Sequence, residues 1–118
     1  MVSLKLMDAL FSGGHSRSVV MFPVRAVYML QPRAAGAMPA QLLISVPKRK
    51  LHHAVDRNRV KRQVREAYRK HKDIVCQHIA ADRQLALAVI WLADKTVDST
   101  VVEEKVVGLL RRISEKLQ

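Results

Sequence analysis

The sequence predicts an α+β sandwich, with helices laid over a mixed sheet. Three observations lead there. The chain has 118 residues, 49% of them hydrophobic, enough for one packed core and too few for two. Three stretches repeat apolar residues at helical spacing, and between them lie apolar stretches that read as strands. Helices and strands arranged this way bury their apolar sides by stacking in layers.

The elements follow in order. Leu4 to Phe11 (LKLMDALF) has helical spacing and is stopped by Gly13-Gly14, giving a short first helix. Ser18 to Leu30, rich in Val, Phe, Tyr and Met, reads as extended, and Pro23 argues for an edge position or a break there. Gln31 to Ala40, with two prolines, a glycine and four alanines, reads as a loose hairpin loop. Gln41 to Val46 is a short buried strand stopped by Pro47. Asp56 is the expected N-cap of a helix running to about Ile74. Leu85 to Leu92 (LALAVIWL) reads as a central strand with Ala86 and Ala88 on one face. Thr100-x-x-Glu103 resembles a capping box, and Val102, Val106, Leu109, Leu110, Ile113 and Leu117 follow at helical spacing. The order is α-β-β-α-β-α, with an extra strand if Pro23 divides the first extended stretch, and residues 1–118 form one domain.

Charge is the most informative feature. There are 21 Lys and Arg against 10 acidic residues, a net charge of +11. Such an excess weakens a compact state by self-repulsion and points to a polyanionic partner, nucleic acid first. It is also concentrated. The 25 residues from Lys48 to Lys72 carry 11 cations and only two acids, Asp56 and Glu66, so one segment holds +9 of the +11. Between Arg57 and Lys72 arginine outnumbers lysine five to three, which favours forked contacts to phosphate.

At about 100° per residue, Val60, Val64, Ala67, Tyr68 and His71 share one arc of this helix, a core stripe. Asn58, Lys61, Arg62, Arg65, Arg69 and Lys72 fall on the adjoining arc, and Arg59 and Lys70 on the far side. Arg57 overlaps the core stripe by angle. Only Glu66 and Asp73 lie within pairing distance, so most of these cations lack the partners that support a merely solvated face. The preceding loop, with Lys48, Arg49 and Lys50, extends the basic ridge.

Other classes are excluded by what such chemistry needs. No apolar run approaches the roughly 18 to 20 residues of a membrane span. Met1-Val2-Ser3-Leu4 lacks the basic n-region of a signal peptide. The single Cys76 forms no intrachain disulfide and fits a reducing, cytoplasmic setting. The ten acids are dispersed, which argues against a protein-borne nuclease centre, and no HxxxH, CxxC or P-loop motif is present. His52-His53 and Cys76-x-His78 read as surface polar groups and a packed thiol rather than metal ligands, because structural sites want four converging donors. A DNA-binding regulator would show a helix-turn-helix or a dimerisation seam.

The stretch from Ile44 to Tyr68 (ISVPKRKLHHAVDRNRVKRQVREAY) closely resembles the signature of the bacterial ribonuclease P protein subunit, in Arg57, Asn58, Arg59, Lys61, Arg62, Arg65 and Glu66. The resemblance extends over most of the chain. It implies an α-β-β-β-α-β-α fold in which a left-handed βαβ crossover holds the signature helix, where general rules favour a right-handed one. It also implies a role in assisting a catalytic RNA that removes the 5′ leader from precursor tRNA.

By this resemblance Lys48, Arg49, Lys50, Arg57, Asn58, Arg59, Lys61, Arg62, Arg65 and Arg69 face the RNA subunit. Phe11 and Tyr28 contact the single-stranded leader. Catalysis rests with RNA and its Mg²⁺, which the RNA subunit mainly holds, and neither a membrane nor an obligate protein partner is expected. Exposed rings stack unpaired bases, but Phe11 and Tyr28 are equally compatible with core packing, and Trp91 and Phe22 read as core. His52 stands where many members have glycine, Met7 stands where an aromatic is usual, and fewer basic residues precede the first helix. Size and charge alone equally allow a non-catalytic RNA-binding protein of ribosomal type; the Arg57-to-Glu66 signature separates the two.

Overall fold

The computed structural model describes residues 16–117, so the expected first helix and Phe11 lie outside the described residues. Within them the chain forms β1 (Arg17–Met21), β2 (Val24–Pro32), β3 (Ala40–Ser45), α1 (Ala54–His71), a single turn α2 (Asp73–Cys76), β4 (Arg83–Trp91) and α3 (Ser99–Leu117). The four strands make one sheet in the order β1-β2-β4-β3. β1–β2 and β2–β4 pair antiparallel, and β3–β4 pair parallel. The sheet is therefore mixed, as expected, and β4 lies inside it.

Pro23 divides the first extended stretch into two strands. Met21 pairs with Val24, and the two residues between them form the turn, with a cis Phe22–Pro23 peptide. Phe22 is 64% exposed at this tip, which corrects its placement in the core. A two-residue turn projects its first side chain beyond the last ladder pair, where no layer covers it.

Alternation in the strands sends two sets of side chains to opposite faces. Val24, Ala26 and Tyr28 of β2 join Leu85, Leu87, Val89 and Trp91 of β4 in the main core, under α1 and α3. Val27, Ala86 and Ala88 form a smaller buried cluster on the other face, with Met29, Leu43 and Ile90 against it. Trp91 is core, as expected, and its indole N–H donates to the Lys95 carbonyl at 3.3 Å.

α1 lies on β3 and α3 on β1 and β2, and the two helices pack against each other. Val60, Val64 and Ala67 are the buried stripe of α1; Val102, Val106, Leu109, Leu110 and Ile113 form that of α3. Both stripes match the helical spacing of the sequence. Tyr68 and His71 sit at the rim of theirs, half-buried.

Helix ends were less legible. α1 begins at Ala54 with His53 as N-cap and no side-chain cap, rather than at Asp56. The His53 carbonyl already accepts from the Asp56 and Arg57 amides, so Asp56 lies in the first turn, where its charge meets the positive end of the helix dipole. α1 stops at His71, and Ile74 belongs to the turn that follows. α3 begins at Ser99, with the Asp98 carbonyl accepting from Val101 and Val102, so Thr100 lies within the helix and does not cap it.

At the core's edge His71 Nε2 of α1 lies 2.9 Å from Glu103 Oε1 of α3. That hydrogen bond holds the Glu103 carboxyl below the ordinary carboxylate range, against a small opposing effect of burial. A depressed carboxyl contributes stability above the ordinary carboxylate range and loses it as pH falls through its folded value. Glu103→Gln is therefore expected to destabilise the protein more near pH 6 than near pH 3 in urea unfolding. Leu87→Ala, which empties a fully buried site, should cost about 2–5 kcal/mol in the same assay.

Candidate nucleic-acid interface

The ridge starts where β3 ends. Amides of Lys50 and Leu51 both donate to the Pro47 carbonyl, folding the loop into a tight turn anchored by the buried Leu51. The turn leaves Lys48 and Arg49 exposed and Lys50 half-buried. At His52 the backbone does not take the left-handed conformation that would require glycine. The loop is built without one.

Arg57 differs from its neighbours. Its guanidinium donates to the carbonyls of Leu51 and His52, both at 2.9 Å, and so ties the loop to the first turn of α1. Its position over the core stripe explains this inward use. Asn58, Arg59, Arg62 and Arg65 are exposed, and Lys61 is half-buried. Arg69 forks onto Glu66, at 2.6 and 3.2 Å, which holds the Glu66 carboxyl below its ordinary range. Glu66 lies four residues from both Arg62 and Lys70 and pairs with neither. Among the described residues, Arg59, Lys61, Arg62, Arg65 and Lys70 keep their charges without a carboxylate partner.

The cations divide between the two flanks of α1. Lys61, Arg65, Arg69 and Lys72 border a groove of about 500 Å³ whose other wall is the edge strand β3, with Leu42, Leu43, Ile44 and Tyr68. Burial pushes the Tyr68 phenol up to about 12. Arg59, Arg62 and Lys70 border a second groove, of about 670 Å³, facing Ser99 and Glu103 of α3, and Arg65 lines both grooves.

Tyr28 lies away from this ridge. It is 4% exposed, with its ring in the main core. It also borders a cavity of about 270 Å³ with Arg17 and Lys116. Among the described residues its buried hydroxyl has no hydrogen-bond partner, and burial raises its pKa against the opposing charge of Arg17. Sequence reasoning missed both cations. Arg17 is the register partner of Tyr28 across the hairpin, and Lys116 comes from the last turn of α3, so neither is near it in sequence.

Sequence and fold match a known group of proteins. The family model described as Ribonuclease P matches residues 8–114. The chain belongs to the ribonuclease P protein family. Its members are the protein component of the ribonucleoprotein enzyme that processes the 5′ leader of precursor tRNA. The ribonuclease P protein component of Porphyromonas gingivalis is 36% identical over 103 residues, covering 86% of this chain and 74% of that one. Among solved structures, the Thermotoga maritima ribonuclease P protein superimposes with a TM-score of 0.68 at 25% identity, over 94% of each chain. The Staphylococcus aureus ribonuclease P protein gives 0.72 at 18% identity, over 100% of this chain and 96% of that one. Membership in this family supplies the RNA partner that the unpaired cations call for.

Arg57 and Arg62 carry the same charge in different service. Arg57→Ala, which removes its hydrogen bonds to the part-buried Leu51 carbonyl and the exposed His52 carbonyl, should cost about 1–3 kcal/mol in thermal or urea unfolding. Arg62→Ala should stay within about 0.5 kcal/mol of the parent protein. Equal losses would show that Arg62 is also structural.

Proposed function

We propose that this chain binds ribonuclease P RNA through the ridge of α1 and the loop before it, and contacts the 5′ leader of precursor tRNA at the Tyr28 cavity. The observation that carries the first part is the set of cations left unpaired on α1 beside a carboxylate that pairs elsewhere. Asn58, Arg59, Lys61, Arg62 and Arg65 then take phosphates and base edges directly, with Lys48, Arg49 and Lys50 flanking them. Arg57 acts through the shape of the loop, and Arg69 is shared with Glu66.

The second part rests on the Tyr28 hydroxyl. A buried hydroxyl without a partner costs free energy, and a cavity with two cations beside it is suited to a phosphodiester or a base edge that accepts from it. Contact here is by the hydroxyl rather than by stacking, because the ring lies in the core. Among the described residues no three His, Cys, Asp or Glu side chains converge to hold a metal ion. In this reading the Mg²⁺ of the reaction is carried on the RNA, and the protein contributes binding energy and charge. No helix among the described residues is long and apolar enough to cross a membrane.

The test is cleavage of a leader-bearing precursor tRNA by bacterial ribonuclease P RNA at limiting Mg²⁺, with and without the protein. Stimulation is expected, and it should fall at least tenfold with Arg62→Ala/Arg65→Ala. Absence of stimulation despite tight RNA binding would favour a general RNA-binding role. Tyr28→Phe should fold as well as the parent, since it removes an unpartnered hydroxyl, yet weaken binding of leader-bearing substrate and leave leaderless tRNA unchanged. Equal effects on both substrates would end the leader assignment.

A further inference from the structure

The two flanks of α1 pose a geometric question that the ridge reading does not answer. Arg59 and Lys70 project from one side of the buried stripe, Lys61 and Lys72 from the other. At 100° per residue the two pairs point roughly 160° apart, across a helix about 10–12 Å wide with its side chains. One extended strand lying on one side cannot reach both.

The α3-side groove also has features beyond an ordinary charged surface. Gln63 donates through Nε2 to the Val97 carbonyl and to the Ser99 hydroxyl oxygen, both at 3.0 Å, which fixes the first turn of α3 against α1. Ser99 accepts in this contact, so its own proton is free to be donated into the groove. The Gln63 Oε1 is buried without a partner among the described residues. Two carboxylates reach the groove, and both are engaged at its rim, Glu66 by Arg69 and Glu103 by His71. Arg59, Arg62 and Lys70 are thereby left unpaired opposite the positive end of the 19-residue helix α3.

We propose that the groove between α1 and the start of α3 is a second phosphate-backbone site, formed by Arg59, Arg62, Lys70 and Ser99. A structured RNA then holds α1 between two backbone segments, one in this groove and one along the β3 side. This inference rests on the ridge reading and adds the form of the RNA it requires. The major groove of an RNA duplex is too deep and narrow to be read by side chains, so α1 does not lie in one. The partner surface is a junction or fold where two strands run on either side of one protein helix.

The experiment compares three double variants of the full chain for ribonuclease P RNA binding across a salt series, after thermal melts confirm folding. Arg59→Ala/Lys70→Ala removes the α3-side pair and Lys61→Ala/Lys72→Ala the β3-side pair. Arg111→Ala/Arg112→Ala, exposed on α3, is the control. The first two are each expected to weaken binding at least tenfold, to lower the salt slope by about 1.4–1.8, and to multiply when combined. The control should stay within about twofold of the parent, as for a charge outside the contact. If only the β3-side variant loses affinity, the second site fails and the ridge reading stands; if neither does, the ridge reading fails as well. To separate contact from long-range attraction, a photo-crosslinker is placed at Ser99→Cys or at Lys72→Cys, each in a Cys76→Ser background. Capture of two non-contiguous RNA segments is expected. Capture of one shared segment, or none from Ser99, overturns the proposal.

Discussion

The parallel pairing of β3 with β4 is the constraint on which the rest depends. Antiparallel neighbours can be joined by a tight turn, as β1 and β2 are, but parallel ones need a connection that crosses a face of the sheet. Residues 46–82 make that connection, and within them the 48–72 segment carries +9 of the net +11. The basic segment is thus fastened at both ends to the sheet, and α1 is held by β3 beneath it and α3 beside it. A charged helix at a chain terminus would lose its orientation by fraying. One inside a crossover does not, so its side chains are presented without further ordering of the backbone.

Within that frame the protein separates cations that hold structure from cations left free. Arg57 caps loop carbonyls and Arg33 clasps the β2–β3 loop to the approach to β4, donating to Arg83 and Ala80 carbonyls at 2.7 and 3.0 Å. Both use the guanidinium fork on backbone oxygen. Arg69 satisfies Glu66. The remaining α1 cations have no such duty, and a helix with cations on both flanks repels itself. The core offsets that repulsion, and a polyanionic partner removes it, so RNA binding and stability are coupled through the same side chains.

Sequence patterning disclosed what depends on periodicity. The Val60, Val64 and Ala67 stripe, the α3 stripe and the alternation of Ala86 and Ala88 against Leu85, Leu87 and Val89 all follow from where Cβ atoms point. The family signature disclosed the ridge. What escaped depends on contacts between residues distant in sequence, or on side chains that displace a local rule. Asp56 is a good cap by composition, yet a loop anchored on Leu51 and tied by Arg57 starts the helix three residues after Leu51. Phe22 has core composition, yet the turn that Pro23 shapes leaves it in solvent. The Tyr28 cavity takes Arg17 from one strand and Lys116 from the far end of the chain, and no local motif encodes that meeting.

The side chains of the α1 stripe also bear on the interface. Val60, Val64 and Ala67 are short, so the helix axis lies nearer the sheet and α3 than it would over leucine or phenylalanine. Close approach brings the flanks of the helix down to the rims of the two grooves. The lysines and arginines there share the groove walls with apolar residues, Leu42 and Ile44 on one side and Ala67 on the other, a setting in which long stems can cover apolar surface while their charged ends stay in water. A bulkier stripe would raise the cations away from those walls and restore their rotamer freedom, which an RNA would have to take away again on binding. The small residues that look least relevant to nucleic acid are therefore part of how the basic helix is prepared for it.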